Sequence, residues 1–240
     1  MHNDGFKIYS LLVVKNEADV IAASLRDACR WSDKIIVLDN GSSDGTWEIV
    51  KQLSEDLPQI VAFGQYAGPF RIGLRAQLFK AYRKEMKWGD WWCVRLDADE
   101  FYPNDVRGLL SRISWRYRAV KKSSTDYLLG KEDLEKLTGN FEQDRAIFHH
   151  HLKAHRTERR FMRHSPLLFW KSTWRYPHPW GFVAPETIEV AHYQYRSEEQ
   201  MQTRWATRQQ AKQDGCGSFK HENGNGWEAY LWDNRKEESI

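Results

Sequence analysis

The sequence predicts an α/β protein with a mainly parallel central sheet and helices on both of its faces. Three apolar runs support this prediction, at residues 8–14, 35–38 and 91–96. Each run is too short for a helix, is rich in β-branched or aromatic residues and ends at polar residues, which is typical of a buried parallel strand. Strands that alternate with helical segments favour a doubly wound sheet with right-handed crossovers.

The segments between these strands carry apolar residues at helical spacing. Two helices are defined in this way, the first by Ile21, Leu25 and Ala28 and the second by Trp47, Val50 and Leu53. The turn at residues 39–45 precedes the second helix and consists of residues that cap helices or tolerate a positive φ. A third strand is predicted near residues 60–63, and an amphipathic helix over residues 72–88 is predicted from Leu74, Leu78 and Tyr82.

The regular alternation of strands and helices ends near residue 110. We therefore predict a first half at residues 1–110, and a second half of the same compact domain at residues 111–240. In the second half, residues 187–190 indicate a strand, and residues 197–212 a polar helix capped by Ser197. The last segment, residues 215–240, is rich in glycine, asparagine and charge, and is predicted to be a mobile tail.

Composition and charge exclude several classes of protein. The 240 residues include 36 Lys and Arg against 33 Asp and Glu, and a net charge of +3 spreads no polyanion-sized positive charge over the whole protein, which leaves nucleic-acid binding open without demanding it. The three cysteines lie far apart without CxxC spacing, which argues against a disulfide framework or a zinc site. Because no apolar stretch is long enough for a membrane helix, we expect a soluble, cytoplasmic protein.

Polar residues follow three of the predicted strands: Asn16 with Glu17, Asp39, and Asp97 with Asp99. Ligands of open α/β sheets bind outside the carboxyl ends of the strands, so we expect these side chains to converge. The D-x-D pair suits Mg²⁺ or Mn²⁺, because hard cations prefer oxygen ligands and can bridge to phosphates. The alternative is that these residues are only strand-end turns, with Asp39 capping the following helix.

Three motifs in order, VVKNEADVI, DKIIVLDNGSSDGT and WWCVRLDADEFY, closely resemble the nucleotide-binding half of family 2 glycosyltransferases over residues 8–105. The resemblance implies the GT-A fold and the transfer of a sugar from a nucleotide-diphosphate sugar to an acceptor hydroxyl. It also implies roles for the strand-end residues: nucleoside contact for Glu17 with Asn16 beside it, base or ribose contact for Asp39, and binding of metal and donor diphosphate for Asp97 and Asp99.

The segment FRIGLRAQ stands where relatives carry a basic or amide contact to the donor. Arg75 is the candidate for this contact, with Arg71 second. The alternative for either arginine is a place on the solvated basic face of a helix.

Three later segments, DYLLGKEDL, HRTERRFMR and VAHYQYRSEEQ, are similar to a bacterial branch of these enzymes that acts in surface-polysaccharide pathways. This similarity implies that His192 completes the metal shell, although the same residue could be an ordinary strand-end histidine. The sequence departs from the commoner family pattern, because no Glu-Asp pair opens a helix where the catalytic base usually lies. Glu158 and Glu186 are the candidates for the base of an inverting transfer, and each could instead pair with nearby arginines.

The partners that the resemblance implies are a UDP-sugar donor carrying a hexose, a saccharide or lipid-linked saccharide acceptor, and Mn²⁺ or Mg²⁺. Contact with the inner face of the membrane is left open. Two other functions are weighed against this one. An inactive sugar-nucleotide binding module would account for the missing base motif. A nucleic-acid-binding protein would account for the basic and aromatic residues 155–164, but it leaves the strand-end acids unexplained.

Overall fold

The chain divides into two compact units. A computed structural model describes residues 5–71, 73–179, 181–213 and 226–234. The first unit comprises residues 1–124 and 154–191, and the second comprises residues 125–153 and 192–240. The predicted boundary near residue 110 separates a donor half from an acceptor half, and as a division of function it stays a prediction.

The strands predicted between residues 8 and 96 are all present. β1 spans Ile8–Val14, β2 Lys34–Asp39, β3 Ile60–Gln65 and β4 Trp91–Leu96. The later strands are β5 at Glu100–Phe101, β6 at Tyr117–Leu128, β7 at His150–Arg163 and β8 at Phe182–His192. The sequence pattern predicted only a part of β8 among these four.

The helices are α1 at Ile21–Cys29, α2 at Thr46–Asp56, α3 at Leu74–Tyr82, α4 at Val106–Arg112, α5 at Phe141–Asp144 and α6 at Glu198–Gln213. α3 is shorter than predicted, because a 3₁₀ turn at Arg83–Glu85 follows it and Asp90 then accepts a hydrogen bond from the Lys87 backbone N–H at 2.6 Å. The serine cap of α6 is confirmed, since the hydroxyl of Ser197 accepts from the Gln200 N–H at 3.1 Å.

The described strands form one sheet in the order β3-β2-β1-β4-β7-β6-β8-β5. β1 pairs in parallel with β2 and β4, β2 pairs in parallel with β3, and β7 pairs antiparallel with β4. Val14 lies opposite Asp39, and Asp39 lies opposite Gln65. The carboxyl ends of these strands therefore share one edge of the sheet, as predicted.

Both faces of β1, β2 and β4 are buried, which explains their continuous apolar runs, whereas β3 is largely half-buried or exposed. On one face, Leu11 and Ile36 belong to a core cluster with α3. Trp92 belongs to the same cluster and makes an edge-on contact with Tyr9, with the ring centroids 5.8 Å apart. Side chains of the opposite parity, such as Leu12 and Val37, are equally inaccessible to solvent. α1 and α2 pack against each other and contact β2. The predicted α/β architecture is therefore confirmed.

Residues 226–234 are folded into two 3₁₀ turns, Trp227–Tyr230 and Trp232–Asn234. Tyr230 is buried and stacks on Tyr195 with the ring centroids 4.2 Å apart. The rest of the predicted mobile tail lies outside the described residues. None of the described helices has the length and apolar character needed to cross a membrane.

Candidate active site

The loop after β1 is tied to the loop after β2. Asn16 adopts a φ of 53°, a left-handed conformation that asparagine tolerates better than most residues. Its side-chain oxygen accepts from the Ser43 N–H at 2.9 Å, and its own N–H donates to the Ser42 hydroxyl at 2.9 Å. The Glu17 N–H donates to the hydroxyl of Thr46 at 2.9 Å. The predicted convergence of these two strand ends is thus present. The side-chain oxygen of Asn16 takes part in it by binding the loop after β2.

Asp39 ends β2 and is completely buried. Its Oδ1 accepts from the N–H groups of Gly41 at 3.0 Å and Ser42 at 2.9 Å, and from the Gln65 side chain at 3.3 Å. Its Oδ2 is buried without a hydrogen-bond partner in the described part of the chain. Buried polar atoms are rarely left unpaired, so Oδ2 is a candidate acceptor for a bound molecule.

The turn after Asp39 is fixed by glycine and by Asp44. Gly41 has a φ of 72° and Gly45 a φ of 94°, which are conformations that residues with a Cβ rarely adopt. Asp44 accepts from the Thr46 N–H at 3.0 Å and from the Ala18 N–H at 3.0 Å. Burial opposes the charge of Asp44, but a hydrogen bond from the Thr46 hydroxyl at 2.6 Å and those from the two N–H groups outweigh it and hold the pKa of the carboxyl below its usual value.

Asp97, the first residue of the D-x-D pair, is surrounded by guanidinium groups. Its Oδ1 lies 2.9 Å from Arg75, and its Oδ2 lies 2.8 Å from Arg95 and 3.7 Å from Arg160. Burial alone would raise the pKa of Asp97, and the three positive charges instead lower it to about 2. Asp99, the second residue of the pair, is buried.

The two arginines considered for donor contact differ in burial. Arg71 is exposed, whereas Arg75 is buried at the start of α3 and pairs with Asp97. Burial lowers the pKa of Arg75, and the charge of Asp97 opposes that effect. The Nε of Arg75 has no hydrogen-bond partner among the described residues, which leaves a donor beside the carboxylate. The solvated helix face considered for Arg75 is therefore excluded.

Glu158 lies in the same network. Its carboxylate is 3.0 Å from Arg160, 3.1 Å from Arg175, 3.2 Å from Arg95 and 3.4 Å from Lys122. Burial raises its pKa, but the charges of Arg160, Arg95 and Lys122 outweigh burial, so the pKa lies below the usual value. Glu158 is therefore a salt-bridge partner of the surrounding cations, which is the alternative considered above. A role of Glu158 as the catalytic base stays a prediction.

The sequence pattern did not predict three members of this network: Arg160, Glu100 and Lys122. Arg160 is fully buried, and its guanidinium lies 2.7 Å from Glu100, which also pairs with Lys122. A signal was present in ERRF, because alternate residues of a strand face the same way and place Glu158 and Arg160 on one face. Within the described residues, Asp97, Glu100 and Glu158 can offer oxygens within 4.8 Å of one another, a geometry that could hold a cation.

The two remaining predicted residues lie elsewhere. Glu186 is exposed on β8, and no ion pair joins it to the Asp97 network in the described part of the chain. His192 belongs to the second unit, where its Nδ1 lies 2.8 Å from the carboxylate of Asp126. Such a contact orients the imidazole ring of a histidine. Asp126 was not predicted, and the assignment of His192 to the metal of Asp97 and Asp99 stays a prediction.

Comparison with known proteins finds a family model that matches part of the chain. The model of glycosyl transferase family 2 matches residues 11–122. This segment contains the strand ends described above, and the predicted GT-A type of fold is confirmed. No protein with a curated description matches the chain.

Solved structures resemble the chain only in part. The mannosyltransferase PcManGT from Pyrobaculum calidifontis, in complex with GDP-Man and Mn²⁺, has 15% identity and a TM-score of 0.35, over 54% of this chain and 37% of its own. Glucosyl-3-phosphoglycerate synthase from Mycobacterium tuberculosis, in complex with phosphoglyceric acid, has 22% identity and a TM-score of 0.29, over 55% of this chain and 47% of its own. The chain thus spans less than half the length of either structure.

Proposed function

We propose that this chain, whose residues 11–122 match the model of glycosyl transferase family 2, transfers a sugar from a nucleotide-diphosphate sugar to an acceptor hydroxyl. One observation carries the proposal: Asp39, with a buried unpaired oxygen, and the Arg75–Asp97 pair both follow parallel strands at the same edge of the sheet. That edge is where open α/β sheets bind nucleotides.

The nucleoside end of the donor is assigned to Asp39, with Glu17 and Asn16 beside it. A carboxylate oxygen accepts hydrogen bonds, so Oδ2 of Asp39 suits the imide N–H of uracil or a ribose hydroxyl. Asn40 supports this assignment. Its amide nitrogen donates to the carbonyls of Tyr66 at 3.0 Å and Gly68 at 2.7 Å, while its buried Oδ1 has no partner among the described residues. A UDP-sugar is the donor that we propose.

The diphosphate end of the donor is assigned to Arg75 and to the carboxylates after β4. The donor set fits a hard cation, because Asp97, Asp99 and the nearby Glu100 and Glu158 offer oxygens. Asp97 with Asp99 is the pair that we propose to hold Mn²⁺ or Mg²⁺, with His192 as a further ligand. A bound divalent ion would neutralise charge on the leaving diphosphate. Arg75 and Arg95 would orient the same phosphates through guanidinium hydrogen bonds.

We assign the role of the catalytic base to Glu186 in preference to Glu158. A general base works best with a pKa near the working pH, whereas the pKa of Glu158 is depressed by its cationic neighbours. Glu186 is exposed and outside that network, so its carboxylate is accessible to an acceptor. Three further parts of the proposal rest on the family resemblance alone. They are inversion at the anomeric carbon, a saccharide or lipid-linked saccharide as the acceptor, and a role in surface-polysaccharide synthesis.

The two other functions are less well supported. Within the basic segment considered for nucleic acid, Arg160 and His164 are buried, and His164 bonds to the indole of Trp92 at 3.1 Å. These side chains contribute nothing to a surface patch for phosphates. An inactive binding module is distinguished from an enzyme by turnover alone.

The test combines thermal unfolding with a transfer assay. A ligand that binds only the folded state stabilises it by about 2.7 kcal/mol at a hundredfold excess over its Kd, which corresponds to roughly 5–10 °C in a chain of this size. We expect UDP with Mn²⁺ to raise the unfolding temperature more than either alone. In Asp99→Asn, the additional rise that Mn²⁺ causes should be lost. Asp56→Asn, an exposed acid at the end of α2, is the matched control and should behave as the wild type.

Three results would overturn the proposal or a part of it. If UDP raises the unfolding temperature equally in chelator and in Mn²⁺, the metal has no part in donor binding. No shift with UDP, GDP or their sugars would remove the nucleotide site. Donor binding without turnover across a broad panel of acceptors would identify the inactive module instead.

A further inference from the structure

We propose a second metal site, in the second unit, in which Asp133, His149 and His150 bind a zinc-type divalent cation. Each of the three offers one ligand atom, and these atoms lie within 4.8 Å of one another. Ligands about 2.1 Å from a tetrahedral zinc ion are about 3.4 Å apart, so small side-chain rotations complete the geometry. The site is separate from the proposed donor site and does not depend on the proposed function.

The hydrogen bonds of His149 leave the correct ring atom for a metal. Its Nδ1 lies 2.7 Å from the carbonyl oxygen of Ile147, and a carbonyl can only accept, so the proton is on Nδ1. Nε2 is then the ring atom that we propose as the metal ligand. Histidines that bind metals nearly always donate their other N–H to an oxygen in this way. His149 is exposed, so its ring can turn toward the ion without disturbing the core.

His150 is held more rigidly. Its ring stacks on Trp232 with the centroids 5.0 Å apart and the planes 7° from parallel. Its Nε2 lies 3.8 Å from Oδ2 of Asp133. Asp133 is fully buried and is fixed by the Gly130 N–H, which donates to Oδ2 at 2.8 Å. Two of the three ligands are therefore positioned in advance, which reduces the entropy lost on binding a metal.

Gly130 brings its backbone close to these ligands. A Cβ at this position would lie 3.2 Å from Oδ2 of Asp133 and 3.3 Å from Nε2 of His150. The two ligand atoms thus meet next to a residue without a side chain, which leaves space for an ion. Lys136 pairs with Oδ1 of Asp133 at 3.0 Å, but its side chain is 55% exposed and can move away when a cation binds.

The ligand types decide which metal is expected. Two imidazoles and one carboxylate suit Zn²⁺, with the fourth position open to water, whereas Mg²⁺ and Mn²⁺ prefer sets made of oxygen. A bound ion would link the 3₁₀ segment Lys131–Lys136 to the first residue of β7. The role that we infer is local stabilisation of the second unit.

The experiment measures Zn²⁺ binding by calorimetry on tag-free protein in millimolar Mg²⁺, which occupies oxygen-rich sites. We expect one zinc ion per chain, and at least about tenfold weaker binding in His149→Gln and in His150→Gln. His151→Gln is the matched control, because His151 is the next histidine in the sequence but packs on Tyr127 instead. Zinc should also raise the unfolding temperature of the wild type and of H151Q, and not of H149Q.

Two outcomes would overturn the site. Absence of saturable zinc binding in the wild type would exclude it directly. An equal loss of affinity in H149Q and H151Q would show that zinc binds the histidine run without the geometry described above.

Discussion

Arg160 is the residue of the candidate site whose loss should cost the fold most. Its guanidinium is fully buried and lies 2.7 Å from Glu100 and 3.0 Å from Glu158. Arg160→Met keeps most of the side-chain length and removes the charge. Glu100 and Glu158 therefore each lose their shortest contact with a guanidinium group. Removing one partner of a buried ion pair typically costs about 3–5 kcal/mol, against a total stability of about 5–15 kcal/mol.

Urea unfolding followed by tryptophan fluorescence measures this loss. Arg159→Met is the matched control, because Arg159 is half-buried on the opposite face of β7, with its guanidinium 5.8 Å from the ring of Tyr176. We expect it to cost no more than about 1 kcal/mol. The double variant Glu100→Gln with Arg160→Met should recover part of the loss, since it removes a buried carboxylate that has lost its guanidinium partner.

The pH dependence separates lost charge from lost packing. The positive charge of Arg160 lowers the pKa of Glu158, and a carboxyl with a depressed pKa contributes stability above its unfolded pKa and loses it as the pH falls through its folded pKa. The gap between wild type and R160M should therefore narrow as the pH falls below about 4.5. A cost below 1 kcal/mol at neutral pH, or a gap that does not change with pH, would refute the electrostatic reasoning.

Three further changes test the site. Asp39→Asn keeps the oxygen that accepts from the turn and should weaken UDP binding by about 1–3 kcal/mol in calorimetry; an unchanged Kd would remove this residue from the nucleoside site. Glu186→Gln should lower kcat about a hundredfold with UDP affinity intact, whereas Glu158→Gln should weaken donor binding first, and normal kcat in E186Q would place the base elsewhere. Because the pKa of Asp97 is about 2, metal-free protein should lose about 2 kcal/mol between pH 4 and pH 2, and Asp97→Asn should not show this loss.

The part of the fold that the sequence predicts well is the part governed by local periodicity. β1 and β4 begin and end where their apolar runs do. α1 buries all three residues at helical spacing that defined it, and α2 buries Val50 and Leu53 but leaves Trp47 half-buried. β5 to β7 were not predicted. β7 begins with histidines and carries charged residues along its length, so neither an apolar run nor a clean alternation marks it.

The residues of the candidate site likewise fall into those that local sequence patterns predict and those that depend on contacts between distant segments. The strand-end acids could be predicted, because the carboxyl ends of parallel strands meet at one edge of a sheet. Arg160 could not, because its place depends on the antiparallel register of β7 on β4, in which Phe161 lies opposite Cys93. Such a register joins residues far apart in the sequence, and only the folded chain shows that the basic ERRF segment is buried against the D-x-D strand.

Charge balance in this network bears on how metal and donor would bind. Both oxygens of Asp97 are engaged, by Arg75 on one side and Arg95 on the other, so a metal ion at this carboxylate competes with an existing ion pair. A diphosphate offers the arginines a new anionic partner and frees the carboxylate for the metal. The metal in turn offsets the repulsion between Asp97 and the phosphates. Each ligand therefore removes an obstacle to the other, and by thermodynamic linkage any increase in affinity that UDP gives to Mn²⁺ must equal the increase that Mn²⁺ gives to UDP.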